Sequence, residues 1–156
     1  MKVVCFSLLT AVLLGGAGTA AAQTRPRFTN PPDLPAPRGY THVVEVPAGQ
    51  RLVYLSGQVP LDKHGRLVGA GDFRRQSEQV FANLELALAA AGASFADVVK
   101  MNYYLVDVSN LADLRTVRDR HVNAAAPPAS TLVEVRRLFR DGVLLEVEAV
   151  AAVHAR

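Results

Sequence analysis

The side chains most often used in metal and nucleophilic chemistry are poorly placed in this sequence. Its histidines stand at spacings that form no metal-ligand set: His42, His64, His121 and His154. Ser56 precedes a glycine but lacks the flanking residues of a nucleophile elbow. The sequence also lacks the phosphate-loop, dinucleotide-binding and His-Glu-x-x-His motifs. We therefore predict neither a metal site nor a bound cofactor, and the remaining candidates are carboxylates.

Two glutamates alternate with apolar residues near the C-terminus, in a strand predicted over residues 143–153. One side of this strand is apolar throughout: Val143, Leu145, Val147, Ala149, Ala151 and Val153. The other side mixes both kinds of residue: Leu144, Glu146, Glu148 and Val150. That mixture is typical of a subunit interface. Pairing with an arginine across that interface is one role open to Glu146.

The elements that would position these carboxylates follow from hydrophobic periodicity. Helices are predicted over residues 72–91, ended by Gly92, and over residues 110–123. Strands are predicted over residues 41–46, 51–59, 97–106, 130–136 and 143–153, the first two forming a hairpin through residues 47–50. Residues 140–142 make the turn between the last two. Two helices can cover one face of such a sheet, so the predicted fold is α+β, with a mixed sheet and both helices on one face.

The first 22 residues have the features of a secretory signal peptide, in the expected order. Lys2 gives a positive start, residues 3–14 are almost entirely apolar, and Ala20-Ala21-Ala22 precede a cleavage point before Gln23. The apolar run is too short for a permanent membrane anchor. We predict a periplasmic or secreted protein without membrane contact after cleavage. A membrane-anchoring or amphipathic first helix is the alternative.

Composition divides the rest of the chain into two parts and limits its partners. Residues 23–38 carry five prolines and predict an extended arm, and residues 39–156 form the predicted domain. Cys5 is the only cysteine, so the processed chain would contain no thiol or disulfide. Removing Lys2 lowers the 17 basic residues to 16 against 14 acidic ones, a net charge of +2. So small a surplus predicts no nucleic-acid partner.

Several stretches, taken in order, resemble the RidA/YjgF family. They are Tyr54-Leu55-Ser56-Gly57-Gln58-Val59-Pro60, the helix segment 79–84, residues 90–100, residues 107–111, and a closing hairpin of residues 128–135 and 145–151. The similarity runs from about Gly39 to Val153. It implies a chorismate-mutase-like fold and a homotrimer in which the sheets form a central barrel. It also implies small-molecule clefts at the three subunit interfaces.

The same resemblance implies a chemistry and a set of site residues. The best-known members hydrolyse enamines and imines such as 2-aminoacrylate to keto acids and ammonia, without metal or organic cofactor. Glu146 falls at the position of the family's water-orienting glutamate, which makes it the predicted catalytic residue. Tyr40 resembles the tyrosine that lines the cleft, and Ser56 and Gly57 match the loop that closes it. Ser130 and Leu132 complete the predicted substrate-binding residues.

The sequence departs from the family at the residue that anchors the substrate. Active deaminases carry an arginine in a Pro-Ala-Arg-Ser motif, whereas this chain has Pro128-Ala129-Ser130-Thr131. A hydroxyl group cannot replace a guanidinium fork on a carboxylate. Arg115 or Arg137 are candidates for the missing anchor, and a solvated surface position is the alternative for each.

Three functions therefore compete at the level of sequence. The first is an enamine/imine deaminase with altered substrate choice. The second is a non-catalytic trimer that binds a small metabolite; Ser130 favours it, as does predicted export away from cytoplasmic pyridoxal-phosphate enzymes. The third is a ribonuclease or translation inhibitor that uses the basic residues 115, 118 and 120 or 136, 137 and 140. No aromatic stacking pattern accompanies these arginines, so the third function ranks last.

Overall fold

A computed structural model of the protein describes residues 24–154. Its strands are β1 (Arg27–Thr29), β2 (Val43–Glu45), β3 (Gln50–Gln58), β4 (Val98–Leu105), β5 (Ala129–Glu134) and β6 (Leu145–His154). Its helices are α1 (Phe73–Ala90) and α2 (Leu111–Arg118), with short 3₁₀ turns at Phe95–Asp97 and Val108–Asn110. The predicted signal peptide and its cleavage point lie outside the described residues.

The main sheet has the strand order β3-β6-β4-β5. β6 pairs with β3 and β4 in antiparallel fashion, whereas β4 and β5 run parallel. A parallel pair needs a crossover connection, and α2 lies in the segment that joins β4 to β5. The expected α+β class with a mixed sheet and two helices is confirmed.

Helix α1 matches its prediction closely because its ends carry clear signals. The Asp72 side chain accepts a hydrogen bond from the backbone N–H of Arg75 at 3.0 Å, which caps the N-terminus. Ala91 caps the C-terminus, one residue before Gly92. The buried face of the helix packs on the sheet through four residues that are fully buried: Val80, Phe81, Leu84 and Leu88.

Helix α2 is shorter than predicted, ending at Arg118 instead of Asn123. Beyond this point the backbone tightens, because Arg120 donates to the carbonyl of Val117 at 3.2 Å and His121 to that of Arg118 at 2.9 Å. Such bonds to the third preceding residue are typical of a fraying helix end. Leu114 and Val117 still reach the core, as the helical spacing predicts.

Both predicted hairpins are wrong. β2 pairs with β1, a strand of the proline-rich segment expected to be an extended arm, and β3 pairs with β6. Arg27 on β1 holds Glu45 on β2 through side-chain bonds of 2.9 and 2.6 Å, which ties the segment to the domain. β5 and β6 are not neighbours, because β4 lies between them.

The two-sided character predicted for the last strand is confirmed. Leu145, Val147, Ala149 and Ala151 of β6 are buried in the core that α1 covers, and we call this side of the sheet the helix face. Glu146 and Glu148 lie on the opposite side, which we call the open face, and are only half-buried. Tyr54, which pairs with Val150, is 75% exposed on the open face. The described chain thus leaves a partly apolar sheet surface uncovered.

Candidate functional site

Strand register divides the predicted site residues between the two faces of the sheet. Glu146 pairs with Tyr104 of β4, on the open face. Ser130 pairs with Met101 and Leu132 with Tyr103, and both partners are buried on the helix face. Because paired residues in a sheet project to the same side, Glu146 and Ser130 lie on opposite faces of one protomer.

On the open face, the Glu146 carboxylate packs directly against the backbone of Gly57. A Cβ at position 57 would overlap Glu146 Oε1 and lie 2.8 Å from its Cδ, so any side chain at this position would displace the Glu146 carboxylate. The pairing of β3 with β6 shifts register between Leu55 and Gln58, which places Gly57 in an irregular stretch at this point. The structure therefore brings together two of the predicted site residues, Glu146 and Gly57.

A network of polar side chains continues from Glu146 along the open face. Glu148 Oε1 accepts hydrogen bonds from Asn102 Nδ2 at 2.5 Å and from the Tyr104 hydroxyl at 3.1 Å. Burial, and then the nearby negative charge of Glu148, raise the pKa of Glu146 above the ordinary glutamate value. Ser56 lines a hollow of about 340 Å³ beside Glu148 and Asn102. The predicted loop residues thus adjoin the acidic pair.

On the helix face, the other predicted residues line one cavity of about 390 Å³. Tyr40, Ser130 and Leu132 form part of its wall, together with Tyr103 and Leu114. The main-chain N–H of Thr41 donates to the carbonyl of Pro128 at 3.2 Å, which holds the segment around Tyr40 beside the start of β5. A mainly apolar cavity with a few polar groups is typical of small-molecule binding.

Three arginines also line this cavity: Arg38, Arg115 and Arg118. Arg115 was predicted as a replacement anchor, and its position in the cavity wall is consistent with that role. Arg137, the other candidate, is exposed and does not line it. The sequence analysis did not predict that Arg118 lines this cavity. The signal was available, because Arg118 follows Arg115 and Leu114 by one helical turn.

The remaining basic residues of the sequence analysis lie elsewhere. Arg120 pairs with Glu78 of α1 at 3.0 Å. Arg140 donates to the carbonyl of Gly65 at 3.0 Å, and Arg136 is exposed. Within residues 24–154, no three His, Cys, Asp or Glu side chains are grouped to hold a metal ion. In the same part of the chain, no helix combines the length and apolar character needed to cross a membrane.

Comparison with known proteins places this architecture among small α+β proteins of one family. The family model described as Endoribonuclease L-PSP matches residues 32–153. Protein DfrA of Myxococcus xanthus is 38% identical over 112 residues, which cover 72% of this chain and 83% of that protein. A RutC family protein of Pyrococcus horikoshii is 40% identical over 121 residues, covering 76% and 91% of the two chains.

Solved structures agree with the sequence comparisons. A protein of the conserved Rid family from Yersinia pestis superposes with a TM-score of 0.72 at 33% identity, covering 83% of this chain and 99% of that one. A putative endoribonuclease from Thermotoga maritima gives a TM-score of 0.62 at 31% identity, covering 83% and 98%. The chain belongs to the RutC/Rid/YjgF family, as its resemblance predicted.

Proposed function

We propose that the protein hydrolyses small enamines or imines to a carbonyl compound and ammonia, with Glu146 as the residue that acts on water. The observation that carries the proposal is the Glu146 carboxylate, which is packed against Gly57 and has a raised pKa. A carboxylate whose pKa is closer to neutrality is a better proton acceptor than an ordinary glutamate. Family membership supports the assignment, because Glu146 and Gly57 match the family's own site positions.

The reaction needs few groups. A water oxygen forms a bond to the imine carbon while Glu146 accepts one of the water protons, and the C=N electron pair moves to nitrogen. Nitrogen takes up a proton, giving a carbinolamine. Glu146 then transfers the hydroxyl proton to the amine nitrogen as the C–N bond breaks, so that ammonia leaves with the bond electrons and the hydroxyl oxygen becomes the carbonyl oxygen. Glu146 is suited to move both the water proton and the hydroxyl proton. It passes each proton on to nitrogen, so its carboxylate is ionised again at the end of the reaction.

A complete site requires more than one protomer. Glu146 with Gly57 lies on the open face, whereas the cavity of Tyr40, Ser130 and Leu132 lies on the helix face. One ligand cannot contact both sides of the same sheet. We propose a homotrimer in which the open-face half of one protomer meets the cavity half of its neighbour. The exposed Tyr54 and the half-buried glutamates on the open face support such an interface.

The test of this activity is ammonia release from freshly generated 2-aminoacrylate and from bulkier imines. We expect the purified processed chain to exceed the uncatalysed rate and Glu146→Gln to reduce that excess by about 100-fold or more, the usual contribution of a general base. Glu85→Gln, a change of the same type on the exposed side of α1, is the control and should keep full activity. Equal rates for Glu146→Gln and the unaltered chain would refute the proposal.

A second candidate, a non-catalytic metabolite-binding trimer, is favoured by one observation. Ser130 lies in the cavity wall, so the family's usual anchor is missing from the place where it would act. No ammonia release from any imine, combined with saturable ligand binding, would favour this candidate over the deaminase.

A further inference from the structure

We infer that the helix-face cavity binds a small dianion, held by Arg38, Arg115 and Arg118. These arginines also line a neighbouring hollow of about 360 Å³, so the same three side chains border both spaces. Within one protomer, Asp119 is the one acidic residue that lines either space, and it pairs with Arg118, so Arg38 and Arg115 form a surplus of two positive charges. A ligand with two negative charges balances that surplus.

Arg118 is fixed in place by the protein itself. Its side chain is only 11% exposed, and its Nε and Nη2 atoms contact Asp119 Oδ1 at 2.8 and 2.7 Å. The guanidinium occupies the space beside Gly39, where a Cβ would lie 2.9 Å from Arg118 Cζ. Gly39 also has φ of 79°, a backbone conformation that favours glycine. Nη1 has no acceptor within residues 24–154, so this edge of the fork remains for a ligand.

The other two arginines are held less tightly. Arg38 and Arg115 are exposed, and neither has a carboxylate partner among the described residues. They come from different elements, the segment before Tyr40 and helix α2. Charged donors that converge on one space from separate elements are suited to bind an anion with more than one oxygen group.

Ser130 fits this arrangement. An arginine at position 130 would place a fourth guanidinium in the wall of the same cavity, and like charges at close range repel each other. The short hydroxyl leaves room for the arginine side chains that approach from α2. The anchoring charge is therefore present in this protein, but it comes from helix α2 and the segment before Tyr40 instead of strand β5.

Two chemical sources supply such a dianion, a dicarboxylate and a phosphate monoester. The inference rests on the proposed function only for the claim that the bound dianion is also part of the substrate. Binding itself is measured without turnover, so the two claims can fail separately. Dianion binding by an unaltered chain that releases no ammonia would refute the proposed function and leave this inference standing.

The experiment is calorimetric titration of the full processed chain at pH 8 and low salt with succinate, methyl phosphate and butyrate. Butyrate has the same number of carbon atoms as succinate but only one charge. We expect at least one dianion to bind about tenfold or more tightly than butyrate, since a charged hydrogen bond is typically worth at least one order of magnitude in affinity. The preferred dianion identifies the source.

Variants locate the binding site. Arg115→Gln and Arg118→Gln should each weaken dianion binding by about tenfold, whereas Arg137→Gln, an exposed arginine outside the cavity, should leave it unchanged. Arg115 is exposed, so its variant carries the test if Arg118→Gln does not fold. Equal affinity for butyrate and both dianions, absence of binding, or unaltered dianion binding in Arg115→Gln would overturn the inference.

Discussion

The environment of Glu146 links its position to its chemistry. Partial burial disfavours the ionised carboxylate, and the negative charge of Glu148 acts in the same direction. Glu148 is itself held by Asn102 and Tyr104. The pKa of Glu146 is therefore raised first by burial and then by Glu148, whose charge can be removed while its hydrogen bonds are largely preserved.

The pH dependence of activity tests this control. Glu146 must be ionised to accept a proton, so kcat/KM should fall as the pH drops through its raised pKa. Glu148→Gln removes one cause of the raised value, which lowers the pKa and should move the acid limb of the kcat/KM profile to lower pH. The glutamine oxygen can still accept the bonds from Asn102 and Tyr104. An acid limb that stays in place or moves to higher pH would contradict the claim that Glu148 raises the pKa of the group that sets it.

At the scale of elements, the sequence predicts what local patterns determine. Helix α1 has both a cap and a long apolar face, and β6 has a strict alternation, so both were located correctly. The hairpins failed because pairing is not local. The partner of β2 is a three-residue strand between Pro26 and Pro31, too short to give a pattern, and β5 pairs only with β4 because α2 carries the chain across.

The candidate site also divides into features that the sequence could predict and features that depend on non-local strand pairing. The resemblance named Glu146 and Gly57, which are in contact, and Tyr40, Ser130 and Leu132, which share a cavity. The resemblance could not show that these two sets of residues lie on opposite faces of the sheet. Their placement depends on how β5 and β6 each pair with β4. Nor could the resemblance place Arg118 beside Gly39, because the two are far apart in sequence.

One side chain of α1 ties distant elements together and yields a stability prediction. Gln76 is fully buried, donates to the carbonyls of Gly69 and Gly142 at 3.1 and 2.7 Å, and accepts from the Leu144 N–H at 2.9 Å. Gln76→Leu removes the side-chain partner of the Gly142 carbonyl and of the Leu144 N–H, whereas the Gly69 carbonyl still accepts from the Asp72 N–H. The loss should cost about 3 kcal/mol of unfolding free energy. The measurement is urea denaturation, with Glu85→Leu on the exposed face of the same helix as the control. Equal losses in both variants would contradict this role.

At the scale of the whole molecule, the central claim is that the site is shared between protomers. The open-face half contains Glu146 and Gly57, and the cavity half contains Tyr40, Ser130 and Leu132. A closed trimer would bring three such pairs of halves together, one at each interface. Damage to either half should abolish activity, yet two differently damaged chains should complement each other.

The most direct measurement is ammonia release by mixed trimers of Glu146→Gln, damaged in the open-face half, and Ser130→Phe, whose side chain fills the cavity half. After subunit exchange, confirmed by native mass spectrometry as trimers of intermediate mass that contain both variants, roughly a quarter of the interfaces combine two intact halves. We predict about that fraction of normal activity, although each variant alone is inactive. A mixture of Glu146→Gln with Gly57→Leu, both damaged in the same half, should stay inactive. No recovery in the first mixture, despite exchange, would contradict a site shared between protomers.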